Sequence, residues 1–226
     1  MCVRWESNTP VTEAQRTEVA AKVAEQYQLW FEWLYGFDTF PFSNVDVKVV
    51  GWAVSDASLL EGSTDGIDVY TDTDGEGIPQ CAPACGRFFN QDGDYSECPG
   101  GAERHYDQSL WLTDGFGGGA GGDWGQRMGR EYFMDSISQA QMTILLHEMG
   151  HTYGLDDCKF FPVPLRFVAT RRLRDVSLNQ NLTVYDWTPA GVDGFIMLAG
   201  SSPTITDFDG WMLRNWWYEL SRERGW

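Results

Sequence analysis

Two of the chain's three histidines fall in His147-Glu148-Met149-Gly150-His151, four residues apart in a stretch whose pattern predicts a helix. On a helix that spacing stacks both imidazoles on one face, with about 6 Å of rise between them. Both rings can then reach one zinc ion at about 2.1 Å, while Glu148 projects beside them towards the position such a site keeps open. The chemistry this points to is metal-assisted hydrolysis. It needs a water made acidic by the metal, a carboxylate to take its proton, and a polarised carbonyl to attack. A third ligand should follow closely. Gly154 can adopt the left-handed conformation that ends a helix and turns the chain back under the metal. Beyond it stand Asp156 and Asp157, either of which could supply an oxygen.

The run from His147 to Asp157 resembles the extended signature of the metzincin metallopeptidases, HExxHxxGxx followed by His or Asp. In most members the last ligand is His; in the snapalysin-like bacterial enzymes it is Asp. The resemblance therefore implies zinc held by His147, His151 and Asp157, with Glu148 as general base in peptide-bond hydrolysis. Asp156 is left as a solvated turn carboxylate. Metzincins also carry a methionine in a tight turn beneath the metal, and Gly194-Phe195-Ile196-Met197-Leu198-Ala199-Gly200 looks like that turn, with Met197 at its base. Thr204 to Arg214 is similar to the L-T-x-x-D-x-x-x-L-R segment that opens the final helix of matrixin-like members. One departure concerns the oxyanion. Many members place a tyrosine two residues after the turn methionine, where this chain has Ala199. Stabilising the oxyanion then falls to the metal, backbone N–H groups or another side chain. The short strand Ser109–Thr113, with Leu110, Trp111 and Leu112, is placed like the edge strand along which metzincins lay an extended peptide. Ordinary sheet is its other reading.

The elements that must position these residues are partly legible. Thr12 with Gln15 makes a capping box, Val19, Val23, Tyr27, Trp30 and Leu34 recur at helical spacing, and Gly36 stands where a helix would stop. A helix over 12–35 is expected. Strands are expected at Val45–Trp52, Ile67–Tyr70 and Ser109–Thr113, with further strands within 165–185. Residues 72–105 read as a loop stapled by cysteines. Gly115 to Gly125 holds seven glycines and reads as a mobile or tightly turning loop. The site helix should run from Ser138 to Tyr153. A last helix should begin at Thr206, boxed by Asp209, and bury Phe208, Met212, Leu213, Trp216, Trp217 and Leu220. The expected fold is α+β and metzincin-like: a twisted mixed sheet, a long N-terminal helix and a zinc-binding helix over 1–154, then a small C-terminal subdomain over 155–226.

Composition narrows the setting. Across 226 residues, 42% hydrophobic and 15% aromatic content is ample for a core. A net charge of −17 opposes binding to nucleic acid or an anionic membrane surface. No apolar run reaches the ~20 residues a membrane span needs. Five cysteines, a glycosylation sequon at Asn181 and a scarcity of lysine favour a mature secreted protein without its leader. It is expected to be an extracellular monomer whose partner is a protein or peptide substrate. The acidic groups Asp68, Asp72, Asp74 and Asn90, Asp92, Asp94 could hold calcium, with solvated turns as the competing reading. His105 reads as a surface residue, and Arg171, Arg172 and Arg174 as a solvated face. Two rival functions stand beside the peptidase. One is a non-catalytic binding module whose tryptophans form platforms for polysaccharide or protein. The other is a zinc hydrolase of a non-peptide amide.

Overall fold

The structure, a computed structural model, describes residues 1–158, 191–192, 194–198 and 201–226. The Asn181 sequon, Arg171, Arg172 and Arg174, Ala199 and the strands expected within 165–185 lie outside the described residues. In chain order the elements are β1 (Cys2–Glu6), β2 (Val11–Thr12), α1 (Glu13–Phe31), β3 (Gly51–Ala53), β4 (Leu60–Glu61) and β5 (Asp68–Tyr70). They continue with β6 (Ser109–Thr113), β7 (Gly119–Gly122), β8 (Gly125–Gly129), α2 (Arg130–Ser136), α3 (Thr143–Thr152) and α4 (Asp207–Arg224). The result is an α+β architecture around one twisted, mostly parallel sheet.

That sheet has the order β5-β3-β1-β6-β8-β7, and only β7 runs antiparallel to its neighbour. Strand alternation divides the side chains between two layers. Val3, Trp5, Trp52, Leu110 and Leu112 face the helices and join one core with Val23 and Trp30 of α1, Leu146 and Met149 of α3, Met197, and Leu213 of α4. Cys2 and Ala53 point the other way, into a smaller cluster with Cys81, Cys85, Cys98 and Tyr106. The disulfides Cys2–Cys81 and Cys85–Cys98 pin the long 72–105 segment across that second face, as the cysteine spacing suggested. Cys158 lies outside both disulfides.

Both capping boxes form as expected. Thr12 and Gln15 exchange hydrogen bonds at the start of α1, and Thr206 and Asp209 do so at the start of α4. Elsewhere the structure corrects the sequence reading. Helix α1 ends at Phe31, and Gly36 (φ 71°) comes only after a further turn. Val45–Val50 is not strand. The Val45 N–H donates to the Tyr35 hydroxyl, the Val45 carbonyl accepts from Gln28, and the ladder with β1 begins at Gly51. The central strand β1 had not been expected at all.

Two corrections bear on the site. Strand β6 is interior, hydrogen-bonded to β1 on one side and β8 on the other, so Leu110, Trp111 and Leu112 offer no free edge to a peptide. The reason is the glycine-rich run, which folds into the β7–β8 hairpin rather than a loose loop and itself takes the edge. The site helix begins at Thr143, not Ser138. Gln26 of α1, fully buried, accepts from the Met142 N–H (2.7 Å) and donates to the Ala140 carbonyl (2.9 Å). These bonds take backbone groups that a longer helix would have used, and residues 130–136 form the separate helix α2. Trp30 Nε1 then donates to the Leu146 carbonyl at 3.0 Å, fixing α3 against α1.

Candidate metal centre

Helix α3 carries His147, Glu148 and His151 on the face turned towards β7 and an open cleft of about 660 Å³. Gly154, with φ at 75°, turns the chain sharply after the helix. The Leu155 N–H then donates to the Gly150 carbonyl (3.2 Å), and the Leu155 carbonyl comes back within 2.7 Å of His151 Nδ1. Two residues on, Asp157 Oδ1 stands 2.9 Å from His147 Nε2 and 3.5 Å from His151 Nε2. The structure thus brings Asp157, not the exposed Asp156, to the imidazoles.

Both rings are oriented through their other nitrogen. His147 Nδ1 lies 2.7 Å from the Ile196 carbonyl, matching the bond from His151 to Leu155. A carbonyl can only accept, so each Nδ1 holds a proton, and in the neutral ring Nε2 presents a lone pair. Asp157 Oδ1 is itself buried without a hydrogen-bond partner. Three atoms able to donate electron pairs therefore converge. The ligand atoms all lie within 4.8 Å of one another, and an ion bound between them would relieve their repulsion. The His147–His151–Asp157 group fits a metal ion.

Beneath the group lies the turn around Met197. Met197 is fully buried, and its side chain packs directly against Gly150, where an added Cβ would collide with the Met197 thioether. The turn is held from α4: the fully buried carboxylate of Asp209 accepts from the Ile196 N–H (2.9 Å) and the Met197 N–H (3.1 Å). It also accepts from the Thr206 N–H (2.8 Å) and hydroxyl (2.7 Å). The Cys158 N–H donates to the Met197 carbonyl at 2.9 Å, tying the third ligand's neighbour to the same turn.

Glu148 is 5% exposed and places Oε2 3.9 Å from His151 Nε2. Burial raises its pKa; the two histidines pull it down and Asp157 pushes it up, and the net direction is upward. Strand β7 lies against this carboxylate. A Cβ on Gly119 would overlap Glu148 Oε1, and one on Gly121 would overlap the Glu148 carbonyl. The glycines are what let the strand come this close. Among the described residues its outer edge has no strand partner in the sheet.

The other candidate residues do not assemble. Asp74 is engaged by Arg4 (2.6 Å) and Asp68 by Arg104 (3.1 Å), while Asp92 and Asp94 accept from backbone N–H groups of their own turn. Among the described residues, neither expected calcium group forms a ligand cluster. His105 stacks on Tyr95, far in sequence from the site and outside the ligand group. Tyr153 packs against Trp30, Phe31 and Trp216.

Sequence reasoning singled out His147, His151 and Asp157, which the structure brings together, but missed the Leu155 and Ile196 carbonyls, which no side-chain pattern encodes. Asp209 was visible only as a helix cap. The chain matches no protein-family model and no curated protein. A direct check of the geometry is available. Asp157→Ala should weaken binding of a divalent transition ion by more than about a hundredfold, beyond what loss of a ligand's outer partner costs. Asp156→Ala should leave it unchanged. Competition with a chromophoric chelator reads both, and equal effects would deny Asp157 its place.

Proposed function

We propose that the protein is a secreted zinc-dependent endopeptidase of the metzincin type, working as an extracellular monomer on protein or peptide substrates. The observation that carries this reading is the convergence of two oriented imidazoles and an orphaned buried carboxylate oxygen beside Glu148, in a cleft bordered by the edge strand of the described sheet. Two neutral nitrogens and one carboxylate suit zinc, and the open cleft leaves room for a substrate. When bound, zinc supplies Lewis acidity, polarising a carbonyl and making water nucleophilic near neutral pH.

The chain's own residues do the rest. The outer edge of β7, which no described strand pairs, offers backbone groups to an extended peptide, which adds as a further strand beside α3. Glu148, buried and held against Gly119, takes the proton of the attacking water at its carboxylate and delivers it to the leaving amine. Its upward pKa direction suits a group that must both accept and release a proton. His147 and His151 keep their Nδ1 protons on the Ile196 and Leu155 carbonyls throughout, so their Nε2 atoms stay aimed at the ligand position. The mostly parallel sheet with one antiparallel strand beside α3, and Met197 beneath Gly150, support the metzincin reading. Two disulfides support an oxidising compartment. No helix among the described residues is long and apolar enough to cross a membrane.

The test is incubation of zinc-loaded protein with a diverse peptide mixture, read by mass spectrometry. New termini should appear, vanish on chelation and return with added zinc. Intact peptides in the zinc-loaded sample, or cleavage indifferent to the chelator, would defeat the proposal.

A further inference from the structure

The sheet face turned away from the helices carries a second cavity, of about 270 Å³, that shares no lining residue with the metal cleft. Its walls include Trp111, Trp124, Phe88 and Phe89, with Gln80 and Ser109 adding polar groups. We propose that this pocket binds a single neutral pyranose ring, making it a saccharide site separate from the hydrolytic centre.

Charge, shape and hydrogen bonding each narrow the ligand. Arg4 reaches the pocket, but its guanidinium donates to Asp74 (2.6 Å) and to the Pro79 (2.6 Å) and Ile78 (3.4 Å) carbonyls. Three of its five N–H donors are used and its charge is paired with Asp74, so the pocket carries no uncompensated positive charge, and a net charge of −17 repels an anion. Aromatic faces dominate the shape. Phe88 and Phe89 are 40% and 52% exposed, and Trp124 stands 5.2 Å from Trp111. Ring faces carry negative potential and attract the polarised C–H face of a sugar.

The hydrogen-bonding groups in the walls come from Gln80 and Ser109. One face of the Trp111 indole is covered by Arg4, 3.4 Å from the ring centroid, and its N–H is buried away from solvent. A polar wall group left unmatched by its occupant costs about 1–3 kcal/mol, so an occupant bringing oxygens gains where a plain hydrocarbon ring would not. Size sets the last limit. Sites for drug-sized ligands run from roughly 300 to 1,000 Å³, and this one falls below that range, which fits one ring. A pyranose offers apolar faces, hydroxyl oxygens and no charge in one ring.

The frame is rigid before any ligand arrives. Phe88 and Phe89 lie inside the loop closed by the Cys85–Cys98 disulfide, and Arg87 binds both the carboxylate and the carbonyl (2.6 Å) of Asp123, next to Trp124. Preorganisation of this kind spares the ordering cost of binding.

Saturation-transfer NMR and calorimetry with methyl glycosides of the neutral hexoses and their short oligomers test the site on the intact protein. At least one series should saturate, lose about tenfold in affinity in Phe89→Ala and in Trp124→Ala, and be indifferent to chelation and to Glu148→Gln. Near-UV circular dichroism confirms that the variants fold, and Phe89, being exposed, can be removed without opening the core. The proposal falls if no glycoside saturates at concentrations on the order of 10 mM. It also falls if both variants bind as well as the parent, or if N-acetyltyrosinamide takes the pocket and glycosides do not.

Discussion

Glu148→Gln should lower turnover by about 10²–10⁴-fold while metal content and melting temperature stay at their starting values. The amide has the shape of the carboxylate, so the contact with Gly119 and the packing of α3 are kept. What is lost is the ability to take a proton. Glu148 lies outside the His147–His151–Asp157 ligand group, so metal stoichiometry should not follow activity. Rates on a cleaved peptide, measured beside metal content by atomic spectroscopy, decide the matter. Hydrolysis at the parental rate in a metal-replete variant would remove Glu148 from the base role. Loss of metal together with activity would instead make it part of the metal's support.

The second large effect is expected far from the cleft in sequence. Asp209→Ala should destabilise the protein by about 4–5 kcal/mol and lower metal affinity with it. The carboxylate accepts from two buried N–H groups of the Met197 turn and from Thr206 at the cap of α4. A hydrogen bond to a charged group is worth about 1.5–3 kcal/mol, and loss of a cap costs about 1 more. In a chain of this size the melting temperature should fall by about 10 °C or more. The Ile196 carbonyl orients His147, so loosening the turn reaches the metal group through one bond. Asp209→Asn, retaining one acceptor oxygen, should recover part of both losses. A fall in melting temperature with unchanged metal affinity would separate the turn from the site.

What could be read in the sequence was what is encoded locally. Both long helices announced themselves because a capping box and an apolar period lie within a few residues of each other. The pair His147 and His151 was legible for the same reason. Strand β1 was not, because Arg4 interrupts its apolar run, and the partner that makes Arg4 tolerable, Asp74, lies 70 residues away. The start of α3 was misplaced because residues 138–142 favour helix on their own, and only Gln26, packed in from α1, ends that option. Strand β7 was hidden by its composition. Glycine carries no strand signal, and its pairing with β8 is written in backbone groups alone.

That glycine strand also bears on how the protein can vary. Every base change that replaces a glycine installs a side chain or ends the chain. At Gly119 and Gly121 the first atom of any side chain would fall on Glu148. Conservative drift, which most exposed strands enjoy, has no first step here. Gly119 and Gly121 should therefore be among the protein's slowest residues to diverge, held by their contact with Glu148.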